Sequence, residues 1–320
     1  MSPPARGGAI DSGRAAYLHA RRASIGAGRV APASGVRDGR SVRRLASGCG
    51  RLESVIAGPP LRAVQVPGAV QKLAAGRPVR AVWQNELGGL TFQIGTGPER
   101  WFVKWVPAGS DIDLSREAER LAWTARWTPV PRLLDQGADR DGSWIISAGL
   151  DGESAVSARW IAEPARAVEG IGRGLRALHD ALPVDLCPFS WSTDQRVADA
   201  RRRAAIGQLD PRRWHPQHQH LTIEEALDIV AEPPPIDRLV VCHGDACAPN
   251  TLLDDDGGCI GHVDLGSLGT GDRWADLGVA TWSTQWNFGP GWEQRLLDSY
   301  GISPDEARTR YYRLLWDLGP

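Results

Sequence analysis

Between residues 76 and 150, apolar residues recur in short runs, and glycine-rich turns separate one run from the next. Runs of this length between turn residues are typical of antiparallel strands. We therefore predict five strands, at residues 79–84, 90–96, 99–106, 130–135 and 143–147. A longer stretch with helical spacing, residues 114–128, lies between the third strand and the fourth and ends at Pro129. The pattern indicates a small lobe built on an antiparallel sheet.

From residue 151 onward the spacing of apolar residues changes to that of amphipathic helices. Helices are predicted at residues 163–182, 193–209 and 222–231, and three more begin near Asp272, Gly291 and Pro304. A buried strand at 239–242 and a hairpin at 250–264 interrupt them, and the stretch 148–152 links the two patterns. We therefore predict an α+β protein with two lobes, residues 76–150 and the mainly helical residues 151–320.

Residues 1–75 differ in composition from the rest of the chain. They contain eleven Arg and one Lys against three acidic residues, a net charge of +9, and none of the 14 Trp or four Phe. Such a segment buries too little apolar surface to offset the entropy lost on ordering. We predict a disordered basic extension with one helix near residues 68–73. Two alternatives stay open: a basic arm for nucleic acid or anionic lipid, and a start codon further along, at Val64, Val66 or Val70.

The charge balance of the whole chain excludes one class of protein. Its 37 basic and 38 acidic residues give a net charge of −1, which excludes a general nucleic-acid binder that works by phosphate neutralisation. No apolar run reaches the ~18 residues of a membrane span, and the first ten residues lack the apolar core of a signal peptide. The five cysteines are scattered and odd in number, as expected in a reducing compartment. We expect a cytoplasmic protein that binds neither nucleic acid nor membranes.

Lysine is rare enough in this chain to make its position informative. The chain has 35 Arg and only two Lys, and one of these, Lys104, lies inside an apolar strand. A compact ammonium group there suggests a task that a planar guanidinium does not fit. In the helix that follows, Glu117 lies on the side of the apolar stripe and points inward. Because an inward carboxylate needs a partner, we predict that it pairs with Lys104. The alternative is a lysine on the wet face of an edge strand.

Residues 243–264 carry the strongest chemical signal. Asp245 follows a buried strand, Asn250 comes five residues later, and Asp264 lies at the end of a hairpin. This combination is typical of phosphoryl-transfer sites. Asp245 can orient an alcohol and accept its proton, while Asn250 and Asp264 supply the hard oxygen ligands that Mg²⁺ prefers.

The same segment allows a second interpretation. Its two His-x-Asp pairs, His243 with Asp245 and His262 with Asp264, are possible ligands of a metal-dependent hydrolase. That interpretation leaves Asn250 and the lysine–glutamate pair without a role. Tightly held zinc, manganese or iron would favour the hydrolase.

On these residues the chain resembles the aminoglycoside O-phosphotransferases, antibiotic kinases built like protein kinases, and among them the 3′- and 3″-hydroxyl enzymes. The similarity extends from about Val79 to the C-terminus. Its further landmarks are Arg116, Leu178, His179 and the segments 187–189, 264–266, 271–276 and 311–315. The resemblance implies a two-lobed, protein-kinase-like fold. It also implies transfer of the γ-phosphate of ATP or GTP to a 3′- or 3″-hydroxyl of an aminoglycoside, an activity that confers antibiotic resistance.

By this resemblance the nucleotide lies between the lobes. Lys104, positioned by Glu117, holds the α- and β-phosphates. The adenine is held through backbone groups of the hinge residues Ser147, Ala148, Gly149 and Leu150.

The resemblance assigns the remaining chemistry to the helical lobe. Asp245 is the catalytic base, and Asn250 and Asp264 bind Mg²⁺. Asp317, in the last helical turn, matches a position where the family places a carboxylate against the amines of the antibiotic. A monomer or a weak dimer is expected.

Three positions depart from the family pattern, all on the side expected to bind the antibiotic. Ser267 stands where the family often has arginine, Trp316 stands in the usual C-terminal pair of acids, and histidines fill the segment 214–220. We interpret 214–220 as a surface loop, with a metal site as the alternative, and assign Asp272 and Asp276 to the start of a helix. A kinase-fold enzyme for another small alcohol and a catalytically silent binding protein are the alternative functions.

Overall fold

The computed structural model describes residues 58–60, 62–85 and 88–319, and its first lobe is an antiparallel sheet with two helices. The strands are β1 (Val79–Gln84), β2 (Leu90–Ile94), β3 (Trp101–Pro107), β4 (Leu133–Ala138) and β5 (Gly142–Ala148). Their order in the sheet is β1-β2-β3-β5-β4. All five predicted strands are present. We call this part, from Gly58 to Ala148, the β lobe.

Alternation of side chains across the sheet explains why these segments pair. Phe92, Ile94 and Val103 are fully buried on the inner face, as the period of two requires. The fourth strand begins three residues later than predicted, at Leu133. Pro129 and Pro131 lie just before it, and proline has no N–H to donate to a ladder.

The helix between β3 and β4 is α2 (Leu114–Thr124). It begins at Asp113, whose side chain accepts a hydrogen bond from the amide of Ser115, as N-terminal caps do. It ends four residues earlier than predicted, and residues 125–128 continue as a turn. The inner face of α2 carries Glu117 and Leu121 toward the sheet and the helical lobe.

A short helix, α1 (Gly68–Ala74), precedes the sheet. It confirms the helix predicted near residues 68–73. Val70 and Ala74 are buried in the same apolar cluster as Phe92 and Ile94, and Gly58 pairs with Gln84 at the edge of β1. The last residues of the predicted extension therefore contribute to the β lobe, and residues 1–57 of that extension lie outside the described residues.

The second lobe, from Asp151 to Gly319, is mainly helical, and we call it the helical lobe. Its helices are α3 (Ala158–Ala162), α4 (Pro164–Ala181), α5 (Thr193–Ala205), α6 (Ile223–Val230), α7 (Trp274–Phe288), α8 (Glu293–Tyr300) and α9 (Glu306–Asp317). The sequence did not predict α3. Helix α5 ends four residues before the predicted limit, because Gly207 takes a left-handed conformation, with φ of 70°, that ends a helix.

Two small sheets in the helical lobe position residues 243–250 and Asp264. One pairs β7 (Leu239–Cys242) with β10 (Gly269–Asp272), and the other joins β6 (Glu153–Ser154), β8 (Thr251–Leu253) and β9 (Cys259–His262). Strand β7 and the β8–β9 hairpin were predicted, whereas β6 and β10 were not. Asp264, two residues after β9, contacts Lys104 on β3, so the end of the β8–β9 hairpin lies against the β lobe.

No helix within the described residues is long and apolar enough to cross a membrane.

Candidate active site

A cluster of three charged side chains joins the two lobes. Lys104 on β3 lies 2.6 Å, from its Nζ, to Oε2 of Glu117 on α2 and 2.6 Å to Oδ1 of Asp264, which follows β9. Burial by itself would lower the pKa of Lys104, but the two carboxylates outweigh burial and raise that pKa above its usual value. The ammonium group is therefore charged at neutral pH, and the predicted partner Glu117 does contact it.

The hairpin that ends at Asp264 brings this residue next to Asn250. In the β8–β9 register Thr251 lies opposite His262, and the amide of Val263 donates a 3.0 Å hydrogen bond to the carbonyl of Asn250. Asp264 itself has a φ of 62°, an unusual conformation for a residue with a side chain. Lys104 lowers the pKa of Asp264 and outweighs the opposing effect of partial desolvation, so this carboxylate is charged.

The loop from His243 to Asn250, which we call the catalytic loop, follows β7 and is fixed at its start by Asp276. Both oxygens of this fully buried carboxylate accept hydrogen bonds from the loop, one from the amide of His243 at 2.6 Å and one from the amide of Gly244 at 2.9 Å. His179 on α4 contacts the same carboxylate at 2.9 Å. The loop therefore starts from a rigid anchor on α7.

Asp245 has a carboxylate oxygen that is free to accept a proton. Its Oδ1 is buried and has no hydrogen-bond partner among the described residues. Burial raises the pKa of Asp245, and the nearby charge of Asp264 adds to this, while the neighbouring Cys247 and Asn250 side chains oppose it. A buried acceptor of this kind is suited to hold the hydrogen of an alcohol.

Asn250 is oriented by the loop that it ends. Its Nδ2 donates to the carbonyl of Asp245 at 3.0 Å, so the amide oxygen is the atom left for a cation. Together with the Asp264 carboxylate this is a set of hard oxygen donors, which fits Mg²⁺ and disfavours the softer metals.

The histidines of the two His-x-Asp pairs contact other groups of the protein. His243 donates from Nε2 to the carbonyl of Val263 at 3.0 Å and accepts at Nδ1 from the amide of Asp245 at 3.2 Å. Burial lowers the pKa of His262 to about 3. Within the described residues no group of three or more His, Cys, Asp or Glu side chains is arranged to hold a metal ion. Both ring nitrogens of His243 are bonded to backbone groups, so this residue does not present a free nitrogen to a metal ion.

The predicted hinge residues are the last two residues of β5 and the two that follow it, and Arg100 braces them. The amides of Ala148 and Gly149 donate to the carbonyls of Arg132 and Arg100, both at 2.9 Å. The guanidinium of Arg100 donates to the carbonyl of Leu150 at 2.5 Å. A base bound at this hinge has to use its other backbone groups or exchange partners with Arg100.

Asp317 lies in a different cluster, with histidines of the segment 214–220. Its Oδ2 accepts from the amide of His215 at 3.0 Å and contacts Nδ1 of His218 at 2.6 Å. His215 also packs on the Trp282 ring, with centroids 4.3 Å apart. The interpretation of 214–220 as a surface loop was wrong for Trp214 and His218, which are buried, because α7 and α9 offer an aromatic face and a carboxylate to this segment.

Sequence reasoning missed the anchors of the catalytic loop. It assigned both Asp272 and Asp276 to the start of a helix, which is correct for Asp272, whose Oδ1 accepts from the amide of Trp274 at 2.9 Å. Asp276 also lies at the predicted place, in the first turn of α7, and in addition it binds the loop. The signal for this second role was a carboxylate on a helix whose neighbouring residues are apolar. Ser283, which contacts the same loop, gave no signal, since a serine in a helix is unremarkable.

Comparison with known proteins adds independent information. Residues 84–312 match the model of the phosphotransferase enzyme family. The chain is 35% identical over 251 residues to an aminoglycoside 3′-phosphotransferase of Streptomyces fradiae, a match that covers 73% of this chain and 92% of that protein.

Two solved structures share the architecture. The crystal structure of aminoglycoside-3′-phosphotransferase of type VIII superposes with a TM-score of 0.68 at 31% identity, over 78% of this chain and 97% of that one. The aminoglycoside phosphotransferase APH(3″)-Id of Streptomyces rimosus, solved with ADP and streptomycin, has a TM-score of 0.60 at 29% identity, over 72% and 90% of the two chains.

Proposed function

This chain belongs to the phosphotransferase enzyme family, and from that premise we propose that it transfers the γ-phosphate of ATP to a hydroxyl group of an aminoglycoside. One observation carries the proposal: the free, buried carboxylate oxygen of Asp245 lies beside the Lys104–Asp264 ion pair. This arrangement combines a proton acceptor with charges that suit phosphates and a cation. The family and the ADP-bound relative support ATP as the donor.

On the nucleotide side we assign phosphate binding to Lys104. Its ammonium group stays charged, and Glu117 fixes its position from a buried helix face. A lysine held in this way presents a point charge to the α- and β-phosphates. We place the adenine at the hinge, Ser147, Ala148, Gly149 and Leu150, with GTP as an alternative donor.

On the acceptor side Asp245 orients the hydroxyl and takes its proton as the bond to phosphorus forms. Burial of Oδ1 keeps this oxygen away from competing water, and the raised pKa of Asp245 brings the group closer to the pH at which general bases work best. The proton moves from the alcohol oxygen to the Asp245 carboxylate. The γ-phosphorus forms its new bond to the alcohol oxygen as its bond to the β,γ-bridging oxygen breaks, and ADP leaves.

Mg²⁺ is the metal that we assign to Asn250 and Asp264. The donor atoms, one amide oxygen and one carboxylate, are of the kind that this ion takes together with phosphate oxygens. When bound, it neutralises charge on the transferred phosphate. Asp264 is paired with Lys104 in this structure, so the same side chain connects the metal site with the phosphate site.

The acceptor is an aminoglycoside, and the 3′- or 3″-hydroxyl is the proposed position. The 3′-phosphotransferase of Streptomyces fradiae and the streptomycin-bound relative support these two regions of the substrate. We assign Asp317 to a substrate amine, because its Oδ1 receives no hydrogen bond from the described residues. The enzyme would act in the cytoplasm, as a monomer or a weak dimer, and protect its host from the antibiotic.

The test is direct turnover by the full chain. The purified protein is incubated with ATP, Mg²⁺ and, separately, kanamycin, neomycin or streptomycin, and products are identified by mass and by phosphorus–proton NMR correlation. A mass gain of one phosphoryl group at a 3′- or 3″-oxygen is expected for at least one of them. Choline and a macrolide serve as other alcohols, and phosphorylation of these alone would contradict the proposal.

A further inference from the structure

Ser283 on α7 holds the middle of the catalytic loop. Its side chain is fully buried, and its Oγ accepts a 2.8 Å hydrogen bond from the amide of Ala248. The side chain of Asn287, one turn further along the helix, donates to the same Oγ at 3.1 Å and to the carbonyl of Ser283 at 2.8 Å. The helix thus orients the Ser283 hydroxyl through Asn287, and the loop donates a hydrogen bond to the same oxygen.

Ala248 lies between the two residues to which the proposed function assigns chemistry. The loop is closed on itself, since Asn250 donates from its amide to the carbonyl of Cys247 and from its side chain to the carbonyl of Asp245, both at 3.0 Å. A loop closed in this way moves as a unit. Whatever fixes Ala248 therefore fixes Asp245 and Asn250 together.

The two anchors of the loop share one helix face. Asp276 binds the first residues of the loop and Ser283 binds its middle, and seven residues separate them along α7. Seven residues are about two helical turns, or roughly 10 Å along the axis. The helix thus holds the loop at two points, whereas one point would leave it free to pivot.

Other buried hydroxyls of α7 do not contact the loop. Thr281 donates to the carbonyl of Leu277 at 2.7 Å, and Thr284 donates to that of Thr281 at 2.7 Å, both within the helix. The Cys247 thiol, in contrast, lies against both the Ser283 hydroxyl and the Asp245 carboxylate. A buried hydroxyl on α7 is therefore not sufficient to bond to the loop, and the position of Ser283 on the helix decides it.

We propose that Ser283 is a positioning residue for phosphoryl transfer, which holds Asp245 and Asn250 in register through the amide of Ala248. The inference rests on the proposed function. It places the effect on the rate of the chemical step and leaves substrate binding unchanged, because Ser283 is buried behind the loop. A small displacement of a catalytic group is sufficient to lower a rate by up to about 10²-fold.

The test compares Ser283→Ala with Thr284→Val, which removes a neighbouring buried hydroxyl that bonds only within the helix. With ATP and an aminoglycoside that the wild type phosphorylates, Ser283→Ala should lower kcat by about 10-fold or more. Both KM values should stay within about twofold. Ser283→Thr, which keeps a hydroxyl, should recover most of the rate. Thr284→Val should lose as much thermal stability as Ser283→Ala and keep its kcat.

Amide hydrogen exchange of the Ala248 region gives a readout that does not depend on turnover. Exchange should speed up in Ser283→Ala and stay unchanged in Thr284→Val. Unchanged exchange, an unchanged kcat, or an equal loss of kcat in both variants would overturn the inference, as would a Ser283→Thr enzyme no better than Ser283→Ala. A wild-type chain that phosphorylates no aminoglycoside would instead count against the proposed function. The hydrogen-exchange comparison would still test whether Ser283 holds the catalytic loop.

Discussion

At the scale of single residues, Asp245 differs from Asp272 and Asp276 in having a buried oxygen that nothing in the described chain binds. Asp272 and Asp276 both have all their acceptor oxygens occupied by backbone amides or histidine. A buried carboxylate oxygen without a partner is costly for folding. Its retention is therefore best explained by a bond that forms only with substrate.

Asp245→Asn should abolish transfer and leave the fold intact. The amide keeps the shape of the side chain but is a poor proton acceptor, so kcat should fall by about 10²–10⁴-fold, with the KM for ATP nearly unchanged. Steady-state kinetics check this, with circular dichroism as the control for folding. A variant that retained more than about a tenth of wild-type kcat would remove Asp245 from the role of base.

Lys104→Arg should fail nearly as badly as Lys104→Ala. One Nζ atom serves both Glu117 and Asp264 at 2.6 Å, and a planar, wider guanidinium is not a substitute for a compact point charge. A loss in kcat/KM for ATP of roughly 10² or more is expected for a displaced phosphate clamp. Lys72→Arg, on the exposed side of α1, is the matched control. Normal kinetics in the Lys104→Arg enzyme would refute the assignment.

Asp317→Asn should raise the KM for the aminoglycoside several-fold and leave that for ATP unchanged. The carboxylate is 11% exposed, and a partly desolvated, charge-assisted contact is worth about 1–2 kcal/mol. The dependence of this KM on salt should also become shallower. Asp298→Asn removes the same charge from an exposed position on α8 and should change neither. An unchanged aminoglycoside KM at low salt would mean that Asp317 serves only to hold His215 and His218.

At the scale of elements, the catalytic loop depends on one glycine. Gly244 has a φ of 83°, and a Cβ atom added there would lie 2.2 Å from the carbonyl oxygen of Ser267. Both the backbone conformation and the space therefore require glycine. The glycine thus allows the start of the loop to lie directly against the segment after Asp264.

Gly244→Ala should be more harmful than Gly207→Ala, although both positions have a left-handed backbone. Gly207, with φ of 70°, has open space around it, so alanine should cost about 1–2 kcal/mol of unfolding free energy there. At Gly244 the clash should add about 1–3 kcal/mol and reduce kcat as well. Urea unfolding and kinetics of the two variants provide the comparison, and equal losses would contradict it.

Much of this architecture could be predicted from the sequence, and the parts that could not share a physical cause. Strands such as β1 and β7 were predicted with their observed limits, because alternating or continuous apolar runs report burial locally. The short strands β6 and β10, with the sequences ES and GTGD, contain no apolar run and form because a distant partner pairs with them. Partners far apart in sequence leave no local pattern.

The candidate site also has residues that the sequence identified and contacts that it could not predict. Lys104, Glu117, Asp245, Asn250 and Asp264 could be identified because each is a polar residue at a position where its neighbours predict burial. The contacts of Asp317 with His215 and His218 could not, since they depend on how α9 packs against a segment about 100 residues earlier in the chain. Packing of this kind is a property of the folded molecule.

At the scale of the whole molecule, the β lobe is completed by α1. Val70 is fully buried, in the same cluster as Phe92 and Ile94, although it belongs to the arginine-rich part of the sequence. The net charge of +9 in residues 1–75 therefore does not mark the edge of the folded protein. The N-terminal limit of the β lobe is therefore set by apolar contacts and does not coincide with the change in composition.

Val70→Ala in the full chain should lower the unfolding free energy by about 2 kcal/mol, because two buried methyl groups are lost and a small cavity is left. Lys72→Ala, on the exposed side of the same helix, should change it by less than about 0.5 kcal/mol. Urea unfolding followed by tryptophan fluorescence is the measurement. Equal stabilities of the two variants would mean that α1 does not contribute to the core.

The bond between Lys104 and Asp264 has a consequence for how the molecule opens. It is a contact between the lobes made by charge, with the lysine side chain 20% exposed and the aspartate 42% exposed, so breaking this contact requires hydration of two ions. A partly exposed pair of this kind resists opening by only about 1 kcal/mol. Nucleotide phosphates offer the lysine new anions, and a divalent cation offers the aspartate a new counter-charge. Filling the cleft is thus an exchange of ionic partners, in which the empty enzyme keeps each charge neutralised until its replacement arrives.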